Sequence, residues 1–197
     1  MGLVTEQHDI RLYGLRHGQS EANEQRIIVS DPSVGAKEFG LTEVGREQIR
    51  QTATETSLSR DTVILCSPFL RTTVTAQLFA EQIGAEAPQT DDRLAERYFG
   101  DLEGLLDGHY ARVWTQDRRD ARHTQWQVES VASVWQRFEA LWTECTQCHR
   151  DRAIVFVTHG DVLSIGACGL HTVDLCQHHE GFAFETAELR LLCLPCV

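Results

Sequence analysis

The stretch Arg16-His17-Gly18-Gln19-Ser20-Glu21-Ala22-Asn23 gathers groups suited to a phosphoryl ligand. Arg16 offers a planar, permanently charged fork of donors that matches phosphate oxygens. A neutral His17 offers a ring nitrogen that can act as nucleophile or base. Gly18 lets the main chain come close to a ligand. Ser20 and Asn23 are neutral candidates for the rim of the same pocket. Further along, Arg71 follows Ser67-Pro68, Glu96 and Arg97 stand side by side, and Thr158-His159-Gly160-Asp161 brings a second histidine. Phosphoryl transfer demands mostly positioning and charge neutralisation around the equatorial oxygens. It also needs a group that hands a proton to the leaving oxygen.

The elements that must position these side chains follow from the apolar pattern. Runs at 10–15, 62–66, 153–157 and 189–194 predict strands. Helical spacing predicts a helix over 42–55 with Thr42 as N-cap, and one after Arg71 that ends near Gly84. Two more are expected over 130–149 and 161–169. Strands alternating with helices give an α/β fold: a three-layer α/β/α sandwich with a mostly parallel central sheet covered on both faces. His17, Ser67-Pro68 and His159 each follow a predicted strand. Open α/β sheets bind ligands at the carboxyl ends of their strands, so the scattered motifs are expected to converge. Residues 35–40 and 101–127 read as irregular. The second segment is rich in charge and aromatics, including Trp114 and Trp126, and is the natural place for a lid or specificity loop.

Four segments in order carry a family resemblance. Arg16-His17-Gly18-Gln19-Ser20-Glu21-Ala22-Asn23 resembles the R-H-G-[EQ]-[ST]-x-x-x-N signature of the histidine phosphatase superfamily, the phosphoglycerate-mutase-like proteins. Ser67-Pro68-Phe69-Leu70-Arg71-Thr72-Thr73-Val74-Thr75-Ala76 is similar to its S-P-x-x-R-x-x-x-T-A segment. Leu94-Ala95-Glu96-Arg97-Tyr98-Phe99-Gly100-Asp101-Leu102-Glu103-Gly104 and Val157-Thr158-His159-Gly160-Asp161 match the two remaining segments. The resemblance runs from about residue 10 to about residue 192 and implies one phosphoglycerate-mutase-like domain across residues 1–197. It implies that His17 takes the phosphoryl group as a phosphohistidine and that Arg16 and Arg71 bind the oxygens. His159 matches the second pocket histidine and Glu96 the general acid and base. Arg97 is expected to hold the substrate's distal anion, with Asn23, Ser20 and Gly160 as further substrate contacts. Such chemistry needs no metal or cofactor.

Two outcomes share that pocket: hydrolysis, in which water takes the phosphoryl group, and mutase chemistry, in which another hydroxyl does. The mutases carry a Lys where this chain has Asp107, and Asp repels a glycerate carboxylate. Arg118 and Arg119 align with the mutases' downstream Arg pair only across a gap. Val128-Glu129-Ser130 stands where G-E-S is common, so the backbone is expected to differ there. The chain is also short for an extra lid. These points favour a metal-independent phosphomonoester hydrolase over a cofactor-dependent mutase. A phosphoprotein phosphatase and a non-catalytic phospho-ligand module remain alternatives.

Composition limits the partners. The chain has 197 residues, 42% hydrophobic and 24% charged, which suits one globular domain. Its formal net charge of −11 speaks against nucleic acid, and the pocket for an anionic substrate must be locally positive. No apolar run reaches membrane-span length, and Met1-Gly2-Leu3-Val4-Thr5-Glu6 fits neither a signal peptide nor a myristoylation site, so a cytoplasmic location is expected. The seven cysteines do not suggest a disulfide framework. Cys145-Thr146-Gln147-Cys148-His149 fits a haem-attachment pattern. The spacing of Val131, Val134, Trp135, Phe138, Leu141 and Trp142 makes the cysteines instead the end of a buried stripe. Cys193 and Cys196 form a second pair that could join the first around zinc. His178-His179 reads as a solvated or structural pair.

Overall fold

The computed structural model describes residues 10–149 and 151–193. Five strands form one sheet: β1 (Arg11–Arg16), β2 (Val63–Cys66), β3 (Gln89–Thr90), β4 (Ala153–Thr158) and β5 (Leu189–Cys193). Their order is β3-β2-β4-β1-β5. β1, β2, β3 and β4 run parallel to one another, and β5 pairs antiparallel with β1 at the edge. The helices are α1 (Glu21–Gln25), α2 (Pro32–Gly35), α3 (Glu43–Glu55), α4 (Leu70–Ile83), α5 (Tyr110–Asp117), α6 (Val131–Cys148) and α7 (Gly160–Leu170).

Alternation along the strands builds the layers. Leu12, Val63, Leu65, Ile154 and Phe156 point to one face, where they meet Val134, Phe138 and Leu141 of α6 and Leu163 and Ile165 of α7. Leu15, Ile64, Cys66, Val155 and Val157 point to the other, where Ile49 and Ala53 of α3 and Ala76 and Phe79 of α4 cover them. β4 is buried along its whole length, as a central strand covered twice must be. The expected three-layer sandwich is therefore the observed one. Thr42 caps α3 by accepting from the Gly45 amide, and Gly84 ends α4 in a left-handed conformation (φ 70°), both as expected.

Residues 101–127 depart from the irregular reading. They contain α5 and three short 3₁₀ turns over 100–102, 107–109 and 125–127. This segment closes on a small apolar core of its own, made by Ile28, Phe99, Leu102, Val113 and Val128. Val128 is extended (φ −70°) and fills that core, so its side chain, absent in a glycine, has a use. Cys145 is buried in the apolar face of α6 and Cys148 is exposed. Cys196 lies outside the described residues, as do residues 1–6 and the end of the last predicted strand.

Candidate active site

β1 and β4 are neighbours, and the helices that follow them pack on opposite faces of the sheet. A crevice opens where the connections diverge. Arg16 pairs with Thr158, so His17 and His159 emerge side by side at the strand ends. The His17 amide donates to the Thr158 carbonyl (3.1 Å), and the Ser67 amide from the end of β2 donates to Val157 (3.0 Å). The loop after β1 is clamped onto α3. An added Cβ on Gly18 would stand 2.4 Å from the Gly45 carbonyl oxygen, and one on Gly45 would stand 2.1 Å from that of Gln19.

The nucleophile candidate is oriented by what its two nitrogens face. His17 Nδ1 lies 2.8 Å from the Gly18 carbonyl oxygen. A carbonyl only accepts, so Nδ1 carries the hydrogen and Nε2 keeps its lone pair. Arg71 Nε donates to that lone pair at 3.1 Å. Burial, with Arg71 and Arg16 close by, holds the ring neutral far below the usual histidine range.

Donors without partners surround Nε2. Arg16 Nε, Arg71 Nη1 and His159 Nδ1 are buried and make no hydrogen bond in the structure. Buried polar atoms are normally satisfied, so three such atoms in one place offer hydrogen-bonding capacity to an anion that enters. Each is set by its own scaffold. The Phe184 carbonyl takes Arg16 Nη1, and the Val29 carbonyl takes Arg71 Nη2. Ser67 Oγ holds His159 Nε2 at 2.8 Å, which leaves Nδ1 facing Glu96 Oε2 at 3.4 Å; His159 itself is fully buried and is not among the cavity-lining residues. The buried Phe69 ring packs edge-on to His159 and lies under the Arg71 guanidinium.

Glu96 faces the same space. Its Oε2 lies 3.4 Å from both Arg71 Nη2 and His159 Nδ1, and its Oε1 accepts from the Arg97 amide. Burial pushes its carboxyl up to about 7, against the pull of Arg71 and with the help of the Asp161 charge. The protein thus holds a carboxylic acid able to give or take a proton near neutral pH.

The cavity measures about 570 Å³. Arg16, His17, Arg71 and Glu96 line it, as do Ser20, Asn23 and Gly160. Ser20 and Asn23 also bind each other in a capping box at the start of α1. Tyr110 and Trp114, one turn apart on α5, stack nearly parallel and present an aromatic wall.

Arg97 corrects the sequence reading. It does not hold a distal anion, because it is fully buried away from the cavity. Its guanidinium donates twice to Asp117 at 2.7 Å, to Asp161 at 3.2 Å and to the Glu129 carbonyl at 2.8 Å. Asp107 does reach the mouth of the cavity, but it pairs with Arg26 through two hydrogen bonds of 3.2 and 3.1 Å. Arg118 and Arg119 are exposed at the end of α5 and are not among the cavity-lining residues.

Sequence reasoning also missed three groups. Ser67 stood inside a quoted motif without a role. Trp114 donates its indole N–H to Asp161 at 3.1 Å. His178 is buried rather than solvated, and His179 lines the cavity and bonds Asp161 at 3.0 Å. The sequence reading assigned no metal ligands, yet the fold gathers Asp161, His178 and His179 with their ligand atoms within 4.8 Å of one another. Sixteen residues lie between Asp161 and the pair, so no local spacing announces the cluster.

Comparison with known proteins bears on this geometry. The profile of the histidine phosphatase superfamily (branch 1) matches residues 12–194. The chain belongs to the histidine phosphatase superfamily. Among the relatives of this superfamily member is phosphoserine phosphatase 1 of Hydrogenobacter thermophilus, 30% identical over 84% of this chain and 78% of its own. A probable phosphoglycerate mutase of Serratia proteamaculans is 29% identical over 83% of this chain and 74% of its own. A mycobacterial glucosyl-3-phosphoglycerate phosphatase, solved with VO3, superposes with a TM-score of 0.75 at 25% identity, covering 91% of this chain and 90% of that one. The superfamily and these names support phosphatase or mutase chemistry.

Proposed function

We propose that the protein is a metal-independent phosphomonoester hydrolase that passes the phosphoryl group through a phosphohistidine on His17. One observation carries this reading: the bare Nε2 of His17 faces three unpartnered buried donors and a carboxylic acid poised near pH 7. In the first step Nε2 attacks phosphorus, the bond to the leaving oxygen breaks, and Glu96 gives that oxygen its proton. Arg16, Arg71 and His159 Nδ1 receive the charge on the equatorial oxygens. In the second step the Glu96 carboxylate takes a proton from water. The water oxygen attacks phosphorus, and the bond to Nε2 breaks, releasing phosphate and restoring the enzyme.

Hydrolysis is favoured over isomerisation by the cavity's distal end. Arg97 is withdrawn into the core, and the exposed Arg26 is already paired with Asp107. Among the described residues that line the cavity, none but Arg16 and Arg71 on the phosphate side offers a phosphoglycerate carboxylate an unpaired Arg or Lys. Small phosphorylated metabolites are the substrate class that suits a cavity of this size, and a soluble cytoplasmic setting suits the enzyme. The test is phosphate release in EDTA from p-nitrophenyl phosphate, phosphoserine, 3-phosphoglycerate with and without 2,3-bisphosphoglycerate, fructose bisphosphates and a phosphopeptide. Release from monoesters in EDTA is the expected result. Conversion of 3- to 2-phosphoglycerate with little release would assign a mutase, and silence on the whole panel would leave a binding module.

A further inference from the structure

The cluster behind the aromatic wall has an unused lone pair. His178 Nδ1 lies 3.0 Å from the Leu175 carbonyl oxygen, so it carries the ring's hydrogen and Nε2 is bare in the neutral ring. That Nε2 is buried and makes no hydrogen bond; Asp117 Oδ2, at 3.8 Å, is beyond bonding distance. The ring belongs instead to a group of three, with Asp161 and His179, each offering one ligand atom within 4.8 Å of the others.

We infer that Asp161, His178 and His179 form a binding site for a borderline divalent cation of the zinc class, set in the wall of the phosphate cavity. Two imidazole nitrogens and one carboxylate oxygen suit zinc, whereas magnesium and calcium prefer oxygen donors throughout. The surrounding contacts already orient the ligands. The Leu175 carbonyl fixes the His178 tautomer, and Trp114 and Arg97 hold Asp161. The charges agree as well. Arg97 is neutralised by its two bonds to Asp117, which leaves Asp161 as the net negative charge facing the ion. Two adjustments seat the ion: the ligand atoms, which lie within 4.8 Å of one another, draw closer, and one hydrogen moves. The hydrogen His179 shares with Asp161 Oδ1 at 3.0 Å moves to Nδ1, and the ion takes its place between Nε2 and the carboxylate. Asp161 and His179 line the cavity and His178 stands behind them, so the fourth position of the ion opens toward the substrate space. The His17 chemistry does not call on this ion.

The experiment titrates Zn2+ into the EDTA-stripped, desalted full chain against a chromophoric chelator, with Mg2+ as control. One tight zinc per chain is expected, unaffected by Mg2+. His178→Asn should weaken it at least about tenfold while metal-free phosphate release stays within about twofold of the wild type. His17→Ala and the double variant Cys145→Ser, Cys148→Ser should bind zinc as the wild type does. Unchanged affinity in His178→Asn overturns the site. So does loss in His17→Ala, which would place zinc on the catalytic imidazoles, or loss in the double variant, which would place it on thiolates. Should His178→Asn fail to fold, Co2+ binding to the wild type decides: visible bands without thiolate-to-cobalt charge transfer support the site, and a thiolate band or no band sinks it.

Discussion

A hydrogen bond to the Gly18 carbonyl decides which nitrogen of His17 can attack, and burial keeps that nitrogen free of a proton. His17→Ala is therefore expected to lower turnover about 10⁴-fold or more while the circular dichroism spectrum is kept. Retained turnover would remove the nucleophile from the proposal. Glu96 works on the opposite side of neutrality. Its folded carboxyl sits at about 7, above its ordinary value, so the stability it contributes is complete at acid pH and is lost as pH rises through 7. Glu96→Gln, which cannot ionise, should be more stable than the wild type at pH 8 by about 3 kcal/mol and should lose that advantage near pH 4. The same variant should hydrolyse alkyl phosphates about 10²–10³-fold more slowly yet keep most of its rate on p-nitrophenyl phosphate, whose leaving group needs no proton. Equal losses on both substrates would take Glu96 out of the acid role.

Elements place these residues, and the least legible element matters most to the cavity wall. Tyr110, Val113, Trp114 and Asp117 have helical spacing, yet the fourth member is a charge. An apolar-periodicity reading therefore breaks off, and α5 goes unseen. The buried Asp117 makes sense only beside Arg97, twenty residues earlier, and His123, whose Nε2 lies 2.7 Å away. This network joins the Glu96 segment to α5 and, through Asp161, to α7. Removing one partner leaves the other charged and buried, so Asp117→Ala should cost about 3–5 kcal/mol in urea unfolding. A loss below about 1 kcal/mol would mean that Asp161 alone satisfies Arg97. β1, β2, β4, β5 and α3, α4, α6 and α7 were legible because alternation and 3.6-residue spacing follow directly from burial on one face, whereas β3 went unseen because it is two exposed residues long.

For the whole molecule the balance of charge is divided. The chain carries −11, yet Arg16 and Arg71 both line its cavity. Desolvation holds both His17 and His159 far below the ordinary histidine range. In the unfolded chain they take up protons near pH 6.5, in the folded protein much later, so their contribution is present above 6.5 and is lost as pH falls. Glu96 opposes this between about 4.5 and 7, one group against two. Asp161, held well below the usual carboxylate range mainly by His179 and Arg97 against its burial, adds a further loss in more acid solution. The thermal midpoint measured by calorimetry should thus fall between pH 7 and pH 4. A flat or rising midpoint would show that the two imidazoles protonate in the folded state.

The sequence by itself determined the sandwich, the strand ends and the chemical identity of the floor of the site, because each is written in local periodicity or in a contiguous motif. Tertiary structure alone decided the direction of Arg97. The same residue type beside Glu96 can face substrate or core, and only the distant Asp117 and Asp161 pull it inward. It also decided the tautomer of His17, which depends on a carbonyl one residue away turning back on the ring. The gathering of Asp161 with His178 and His179 was settled at the same level, since packing of α7 against the segment that follows it carries no trace in sequence spacing.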